Sequence, residues 1–333
     1  MTPTIAISMG DYNGIGPEVL LKFLSRADLS LSIPVITGHH EVIEYYAGLF
    51  KLDLPIKPAG NFENLKPGNI YIHDVVKKES IEIHPGRLSK KAGKVSMKAV
   101  DNGISLCMQN ICDALVTAPI SKEAIHKAGY NVPGHTEFLA DKTGTKDYMM
   151  IMAGGNLRVG LATVHIPVKK VAPLINENGL IRYLRILNES LKNDFSISSP
   201  EIAVLGLNPH AGDGGVIGDE EQTEIIPALQ KANFNDINAK GPFAADSFFG
   251  KKMYENFDAI LAMYHDQGLI PFKTLTFGSG VNFTAGLPII RTSPDHGTAF
   301  DIAGLNRADD ASFQAAYNLA VSMAVNRLKE IPG

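Results

Sequence analysis

Three histidines, His165, His210 and His265, stand in the same local context and could bind a metal ion together. Each lies at or just beyond the end of a short apolar run that predicts a buried strand, and a polar turn follows it. Ligands of an open α/β sheet bind at the carboxyl ends of its strands. Three imidazoles gathered there, with no thiolate nearby, suit a divalent cation that keeps one coordination position open. Any one of the three, taken alone, would rank as an ordinary surface or core histidine, so the prediction depends on the repetition.

A second group of polar residues lies near the last of these histidines in the sequence. Lys273, Asn282 and Arg291 follow it closely, and two cations with an amide near a metal suggest a substrate that carries more than one anionic group. For Lys273 alone, a solvated surface position explains the charge better. Asp246 precedes the group, and it either caps the helix that begins there or faces the metal.

Two further segments offer donors to a ligand. His135 and Thr136 lie where a loop becomes a helix, so their side chains and the free backbone N–H groups could bind an anion. Equally, Thr136 could serve only as a helix cap. The glycine-rich segment 10–18 could cradle an anion, but a tight strand-to-helix turn is the preferred interpretation. It matches neither G-x-G-x-x-G nor a P-loop.

The composition excludes several classes of protein. A net charge of −4 leaves no electrostatic footprint for nucleic acid or an anionic membrane, and the apolar runs are far below the ~18 residues of a membrane span. The first residues carry no basic segment and predict a strand rather than a signal peptide. Cys107 and Cys112 are expected on different faces in or just after one helix, so no disulfide is expected and a reducing cytoplasm is indicated.

Strand and helix signals alternate along the 333 residues, which predicts an α/β fold of parallel βαβ units with room for two lobes. Strands are expected at 5–9, 34–38, 113–119, 149–153 and 157–165, and helices at 18–25, 39–50, 89–110, 121–127, 171–193, 220–232 and 311–329. Gly268 and Pro271 are expected to turn the chain just after His265.

Five motifs stand in order along nearly the whole chain: Gly10-Asp-x-x-Gly-Ile-Gly-Pro-Glu18, Gly134-His-Thr-Glu-Phe-Leu-Ala140, Asn208-Pro-His-Ala-Gly212, Tyr264-His-Asp-Gln-Gly268 and Asp295-His-Gly-Thr-Ala299. Together they resemble the motifs of 4-hydroxythreonine-4-phosphate dehydrogenases, a family of the pathway to pyridoxal 5′-phosphate. The first and last are also similar to the wider isocitrate and isopropylmalate dehydrogenase superfamily. Departures at Tyr12-Asn13, Ala244 and Pro294 fall on none of the proposed ligands.

The resemblance implies a two-lobed α/β/α fold with mostly parallel sheets, like that of isocitrate and isopropylmalate dehydrogenases. The implied first lobe, on the dinucleotide side, is 1–130 plus 296–333, and the second, 131–295, carries the metal and substrate residues. The resemblance further implies a homodimer, with each active site in a cleft between lobes and completed by the partner subunit.

The resemblance also implies roles for particular residues. It implies metal ligation by His165, His210 and His265, the trio already selected, with Zn, Mg or Co as the cation. It implies substrate contacts from His135, Thr136, Lys273, Asn282 and Arg291. The segment of His296, Gly297 and Asp301 is similar to the loop along the adenosine of NAD or NADP, which would explain the missing glycine motif.

The implied reaction is NAD(P)-linked oxidation of 4-phosphooxy-L-threonine to 2-amino-3-oxo-4-phosphooxybutanoate, which loses CO2 to give 3-amino-2-oxopropyl phosphate. Asp246 is the first candidate for the general base, by residue type, and Lys273 the second. Three alternatives stay open. They are a dehydrogenase of a related acid such as 4-phosphoerythronate, a metal-dependent hydrolase or lyase without dinucleotide, and a silent metabolite-binding protein.

Overall fold

The computed structural model describes residues 2–76 and 80–330. It divides into two compact units, Met1–Lys146 with Leu287–Gly333 and Asp147–Gly286. The sequence placed these divisions elsewhere, with 131–146 and 287–295 in the second lobe. The difference has a structural reason, because the strand at 290–294 pairs with the strand at 114–117 of the first unit.

The first unit consists of parallel strands and helices in alternation. Its elements are β1 (Thr4–Ser8), α1 (Gly16–Leu24), β2 (Ile33–Gly38), α2 (His40–Phe50), β3 (Ile56–Pro58), β4 (Ile70–Asp74), α3 (Lys90–Met108), β5 (Ala114–Thr117), α4 (Lys122–Lys127), α5 (His135–Thr143), β12 (Ile290–Pro294) and α10 (Ala311–Glu330). The strands lie in the order β3-β4-β2-β1-β5-β12, and every pairing is parallel. Because helices cover such a sheet, its central strands are continuously apolar and buried, as in β2 and β5.

The second unit has a mixed sheet. Its elements are β6 (Met149–Gly154), β7 (Leu157–Leu161), α6 (Glu177–Asn193), β8 (Ile202–Leu205), α7 (Ile226–Phe234), β9 (Ala239–Phe243), α8 (Ala245–Gly250), β10 (Ala259–Ala262), α9 (His265–Thr276) and β11 (Val281–Ala285). The strand order is β11-β6-β7-β10-β8-β9. The pairs β11·β6 and β6·β7 are antiparallel, and β7·β10, β10·β8 and β8·β9 are parallel.

The core of the second unit joins the sheet to α8 and α9. Val159 of β7 and Ile260 of β10 pack with Phe248 of α8 and with Leu269 and Phe272 of α9. Each of these side chains is almost fully removed from water, which stabilises the fold by roughly 1.5–3 kcal/mol per large apolar side chain. The same packing therefore fixes α9 against the strands that precede it.

Most predicted elements are confirmed, including the capping of α4 by Ser121, whose Oγ accepts the Ala124 N–H at 3.2 Å. The predicted turn after His265 is wrong, because Gly268 and Pro271 lie inside α9. The predicted helix 171–193 begins only at Glu177. The helix predicted at 220–232 is a π-helical turn at 221–225 followed by α7.

Two expectations drawn from composition can be compared with the structure. Cys107 and Cys112 are free, as predicted, and both are buried. Burial is the main reason that the pKa of the Cys112 thiol is raised to about 12, so this thiol stays protonated at neutral pH. Within residues 2–76 and 80–330, no helix combines the length and apolarity that a membrane span requires.

Candidate active site

The three histidines of the predicted metal site follow three adjacent parallel strands of the second unit. His165 lies four residues beyond the end of β7, His210 five residues beyond β8, and His265 begins α9 three residues beyond β10. Since β10 pairs in parallel with both β7 and β8, all three chains leave the sheet at the same edge. The strand-end argument from the sequence is therefore confirmed for the backbone.

Hydrogen bonds continue the pairing of β7 and β10 past the ends of the strands. Ala162 N donates to the Ala262 carbonyl at 2.9 Å, and Thr163 donates to the Met263 carbonyl from N at 3.2 Å and from Oγ1 at 2.7 Å. These bonds hold the segment before His165 against the segment before His265. The two imidazole centroids consequently lie 5.7 Å apart, with the ring planes inclined at 45°.

That separation is close to the one that a shared metal requires. With metal–nitrogen bonds of about 2.1 Å and tetrahedral angles, two imidazole centroids on one cation lie about 5 Å apart. His265 also has an oriented ring, because its Nδ1 lies 2.7 Å from Asp266 Oδ1. A carboxylate on one ring nitrogen leaves the other nitrogen for a metal. The pair therefore fits a cation in both distance and donor chemistry.

His210 lies in an unusual loop built around one buried carboxylate. Residues 210–214 all have positive φ, with φ 53° and ψ 26° at His210 itself. Glu221, only 1% exposed, accepts the N–H groups of Leu207 and Asn208 at 2.7 Å each and the Asn208 side-chain amide at 2.9 Å. Gly212 approaches the same carboxylate so closely that a Cβ there would lie 2.6 Å from Glu221 Oε2.

Gln267 ties this loop to α9. Its Oε1 accepts the Met263 N–H at 2.7 Å, and its Nε2 donates to the Gly206 carbonyl at 2.6 Å. The residues after β8 and after β10 are thus held to one side chain. Sequence reasoning quoted Gln267 only as part of a motif and did not identify Glu221 at all. A carboxylate 11 residues after His210 gave no sign of burial.

The three histidines do not, however, form a closed cluster. A closed cluster is defined here as three or more His, Cys, Asp or Glu residues whose ligand atoms all lie within 4.8 Å of one another. In the part of the chain that the structure describes, His39, His40 and Asp74 meet this criterion. The trio of His165, His210 and His265 is not such a group. Metal binding by the trio therefore stays a prediction. The spacing of the His165 and His265 rings supports it.

The other predicted residues of the second unit fall on three different elements. Asp246 is exposed in the first turn of α8, whose N-cap is Ala244 without a side-chain hydrogen bond, so the capping interpretation is wrong. Lys273 is exposed near the end of α9. Asn282 lies on β11, and its buried Oδ1 has no hydrogen-bond partner among the described residues. An unsatisfied buried oxygen of this kind is a ready acceptor for a substrate donor.

In the first unit the structure brings Arg291 and His135 together electrostatically. Arg291, on β12, is 2% exposed and donates from Nε and one terminal nitrogen to Thr117 Oγ1 at 3.1 and 2.8 Å. Burial lowers the pKa of its guanidinium, while the Glu137 carboxylate opposes that shift. Burial, and secondly the charge of Arg291, hold the pKa of His135 well below its usual value. His135 is therefore a neutral imidazole at physiological pH.

His135 also offers a buried ring nitrogen to a ligand. Its Nε2 is buried without a hydrogen-bond partner in residues 2–76 and 80–330. It begins α5, whose N-cap is Gly134, and Thr136 follows in the first turn. Since Gly134 takes the capping position, the interpretation of Thr136 as only a cap is wrong. The first N–H groups of a helix have no partner within the helix, so anion binding at this turn stays a prediction.

The segment of His296, Gly297 and Asp301 packs against the glycine-rich loop between β1 and α1. The Thr298 carbonyl accepts the Ile15 N–H at 3.0 Å, and a Cβ at Gly14 would lie 2.9 Å from that carbonyl oxygen. His296 is half-buried, whereas Gly297 and Asp301 are exposed. The glycines of the loop thus have a packing reason of their own, which agrees with the preferred structural interpretation of that loop.

The buried Glu18 side chain anchors the residues that follow this segment. Glu18 Oε1 accepts the Ala308 N–H and the Lys22 ammonium, both at 2.8 Å. The 296–310 connection is thereby held at the start of α1. His296 contributes one further feature, because its Nε2 is buried and lacks a hydrogen-bond partner within the described residues.

Comparison with known proteins decides the family. The family model described as "Pyridoxal phosphate biosynthetic protein PdxA" matches residues 30–320. The chain belongs to this family. A curated relative from Prosthecochloris aestuarii, named 4-hydroxythreonine-4-phosphate dehydrogenase, is 44% identical over 98% of this chain and 99% of its own length. The resemblance inferred from the five motifs, and with it a dehydrogenase family of pyridoxal phosphate biosynthesis, is confirmed.

Solved structures agree with the PdxA family assignment. A crystal structure of 4-hydroxythreonine-4-phosphate dehydrogenase from Klebsiella pneumoniae has a TM-score of 0.87 and 35% identity, and the match covers 97% of this chain and 99% of that one. An isocitrate dehydrogenase from Methylococcus capsulatus shares the fold alone, with a TM-score of 0.51 and 11% identity over 98% of this chain and 86% of that one. The predicted α/β fold is confirmed, and membership in a dehydrogenase family implies a nicotinamide cofactor.

Proposed function

We propose that this chain oxidises 4-phosphooxy-L-threonine with NAD or NADP, and that the product 2-amino-3-oxo-4-phosphooxybutanoate decarboxylates to 3-amino-2-oxopropyl phosphate. The observation that carries the proposal is the placement of His165 and His265, with centroids 5.7 Å apart, at the carboxyl edge of parallel strands in a PdxA-family chain. His210 completes the proposed metal site. Zn, Mg and Co are the candidate cations.

The bound groups supply the parts of the chemistry that the side chains lack. A divalent cation on the three histidines supplies Lewis-acid polarisation, and the dinucleotide supplies the oxidant. Asp246 is the proposed general base for the substrate hydroxyl, since its carboxylate is exposed in the first turn of α8, and Lys273 is the second candidate. We assign His296, Gly297 and Asp301 to the dinucleotide.

The substrate carries a phosphate and a carboxylate, which require cations and oriented donors. Arg291 and Lys273 are proposed to bind these two anions, and the buried guanidinium of Arg291 gives the stronger interaction because little water competes there. His135, held neutral, and Asn282 each offer a buried atom without a partner among the described residues. With Thr136 they are proposed to orient the remaining polar groups of the substrate.

Replacement of His210 by Ala tests the proposed metal site, with His126→Ala as the matched control, because His126 is an exposed histidine on α4. We expect the His210 variant to lose one equivalent of metal and nearly all formation of reduced nicotinamide, while its circular dichroism stays that of the parent. The control should retain both. Near-normal turnover with unchanged metal content in the His210 variant would refute the proposal.

The same assay separates the alternatives. Substrate consumption without absorbance from reduced nicotinamide would indicate a hydrolase or lyase, and preference for 4-phosphoerythronate would indicate a related dehydrogenase. No turnover with any phosphorylated hydroxy acid would indicate a silent binding protein. We further propose a homodimer, as the family resemblance implied, and a cytoplasmic location, as the two unpaired cysteines indicated. Light scattering should give twice the mass of one chain, and an active monomer would contradict the dimer.

A further inference from the structure

We propose that His39, His40 and Asp74 form a second divalent-cation site, in the first unit and separate from the proposed catalytic metal site. It would take a transition metal ion such as Zn²⁺ or Co²⁺. These three residues are the group described above whose ligand atoms all lie within 4.8 Å of one another. None of them belongs to the five motifs, and the proposed reaction assigns them no role.

Sheet register brings the three residues together. β2 ends at Gly38, His39 is the N-cap of α2 and His40 is its first residue. β4 lies beside β2 in parallel, and Gly38 is the partner of Asp74 in that pairing. The end of β4 therefore delivers a carboxylate directly beside the two imidazoles. The arrangement is a fixed consequence of strand pairing and does not depend on a long loop.

The atoms are already near coordination distance. His40 Nδ1 lies 2.8 Å from Asp74 Oδ2, whereas two ligand atoms on a tetrahedral cation, with bonds of about 2.0–2.2 Å, lie about 3.4 Å apart. A cation could enter between them after a shift of about half an ångström. The other carboxylate oxygen is oriented independently, because Asp74 Oδ1 accepts the His40 N–H at 2.7 Å. Such secondary bonds hold a ligand in place for its metal.

His39 supplies the second, independent indication of a ligand. Its side chain is 3% exposed, and its Nδ1 has no hydrogen-bond partner in the described part of the chain. A buried polar atom left unsatisfied costs roughly 1–3 kcal/mol. The ring stacks on that of His40, with centroids 4.9 Å apart and planes inclined by only 17°. A cation bound through the orphaned nitrogen would satisfy it.

An adjoining cavity gives the site access to solvent. His40 and Asp74 line a cavity of about 590 Å³, which Glu44, Asp53 and Lys57 also line. With His40 and Asp74 bordering this cavity, three protein ligands would leave a position for water, as in open zinc sites. Two imidazoles and one carboxylate favour Zn²⁺ or Co²⁺ over Mg²⁺ and Ca²⁺, which prefer oxygen ligands.

Metal titration of the full chain, stripped with chelator, tests the site. Co²⁺ is the probe, followed by its visible spectrum and by equilibrium dialysis, and Zn²⁺ should displace it. We expect two equivalents in the parent and one in His40→Ala and in Asp74→Asn, or a loss of affinity of about 10–100-fold at this site. Asp74→Asn retains an oxygen acceptor for the His40 N–H, so it preserves the start of α2. His126→Ala is the control and should bind as the parent does.

The outcomes separate this proposal from the proposed function. A His210→Ala chain that keeps one equivalent, which additional replacement of His40 removes, supports two independent sites. Loss of metal on replacing His40 but not His210 supports this site and contradicts the catalytic one. If His40→Ala and Asp74→Asn, both folded by circular dichroism, bind Co²⁺ with the stoichiometry and affinity of the parent, the second site is refuted. His40 and Asp74 then form only a hydrogen-bonded pair at the start of a helix.

Discussion

Replacement of Arg291 by Met should separate stability from substrate binding. Arg291 is 2% exposed, and burial lowers the pKa of its guanidinium because the interior disfavours the charged form. Replacing the guanidinium with an apolar side chain of similar volume removes the cost of keeping a charge out of water, on the order of several kcal/mol per buried ion. Two hydrogen bonds to Thr117 are lost in exchange, at about 1.5–3 kcal/mol each. The two effects are of similar size, so we expect a small net change in the free energy of unfolding.

Substrate affinity should change far more. Removing one partner of a buried charge pair costs about 2–5 kcal/mol, which corresponds to a loss of about 30-fold to several thousand-fold. The Michaelis constant for the phosphorylated substrate should rise by that factor, and the constant for the dinucleotide should change little. The pKa of His135 should also rise, because the charge of Arg291 is the second cause of its depression, although burial keeps it below the usual value. NMR titration of the His135 ring measures that shift.

Arg158→Met provides the control for this experiment. Arg158 is half-buried, lies 4.6 Å from the centroid of Phe195 and donates to the Asp258 carbonyl at 3.2 Å, but it has no proposed substrate contact. The Arg158→Met variant should lower the free energy of unfolding without altering either Michaelis constant or the pKa of His135. If Arg291→Met instead loses more than about 3 kcal/mol of stability and binds substrate normally, Arg291 is a structural residue and its assignment to the substrate anion is wrong.

Two further substitutions test the supports of the loops. Glu221→Gln should weaken metal binding by the His210 loop about 10–100-fold, because the new amide nitrogen takes the place of Oε2 and faces the Asn208 side-chain amide nitrogen, whose hydrogen bond that oxygen now accepts. Metal titration measures this, and Glu224→Gln, which also alters a carboxylate that accepts one N–H, should not change it. Asp11→Asn should stabilise the chain at pH 8 by up to about 3 kcal/mol, because burial raises the pKa of Asp11 to about 6. The folded chain holds that proton more tightly than the unfolded chain, so stability from this group is present below about pH 4 and lost as pH rises through about 6. Thermal unfolding measured at about pH 4 and at about pH 8 should therefore show the gain in stability only at the higher pH. Asp28→Asn is the control: hydrogen bonds from Ser30 lower the pKa of Asp28, so this variant should lose stability at pH 8. An equal effect of Asp11→Asn on stability at both pH values would contradict the argument.

The sequence predicted the strands of the candidate site because buried parallel strands are apolar along their whole length. The runs before His165, His210 and His265 each end where polar residues begin, and parallel pairing then places the three ends on one edge. That inference needs only local composition and a rule about sheets. It does not give side-chain distances, and the spacing of two of the rings emerged only from the structure.

Local rules failed where tertiary packing decided the outcome. Pro271 signals a turn, yet it lies inside α9, because Leu269 and Phe272 on either side are buried in the core. Their burial outweighs the cost of about 3 kcal/mol for a proline in a helix. The capping interpretations of Thr136 and Asp246 failed for a different reason. The N-caps are Gly134 and Ala244, which lie two residues earlier in the chain and have no polar side chain. A shift of one or two residues is the ordinary uncertainty of a helix start.

The supports of the three histidines differ, and the difference explains why the trio is not a closed cluster. His165 and His265 follow chains joined by continued strand pairing, so their spacing is fixed by the sheet. His210 instead lies in a left-handed run held mainly through the hydrogen bonds of Glu221. In the proposed site, His165 and His265 would supply two ligands fixed by the sheet, and His210 would supply one from a loop. The affinity of such a site then depends on how firmly Glu221 holds the loop, which is the reason that this remote carboxylate should control metal binding.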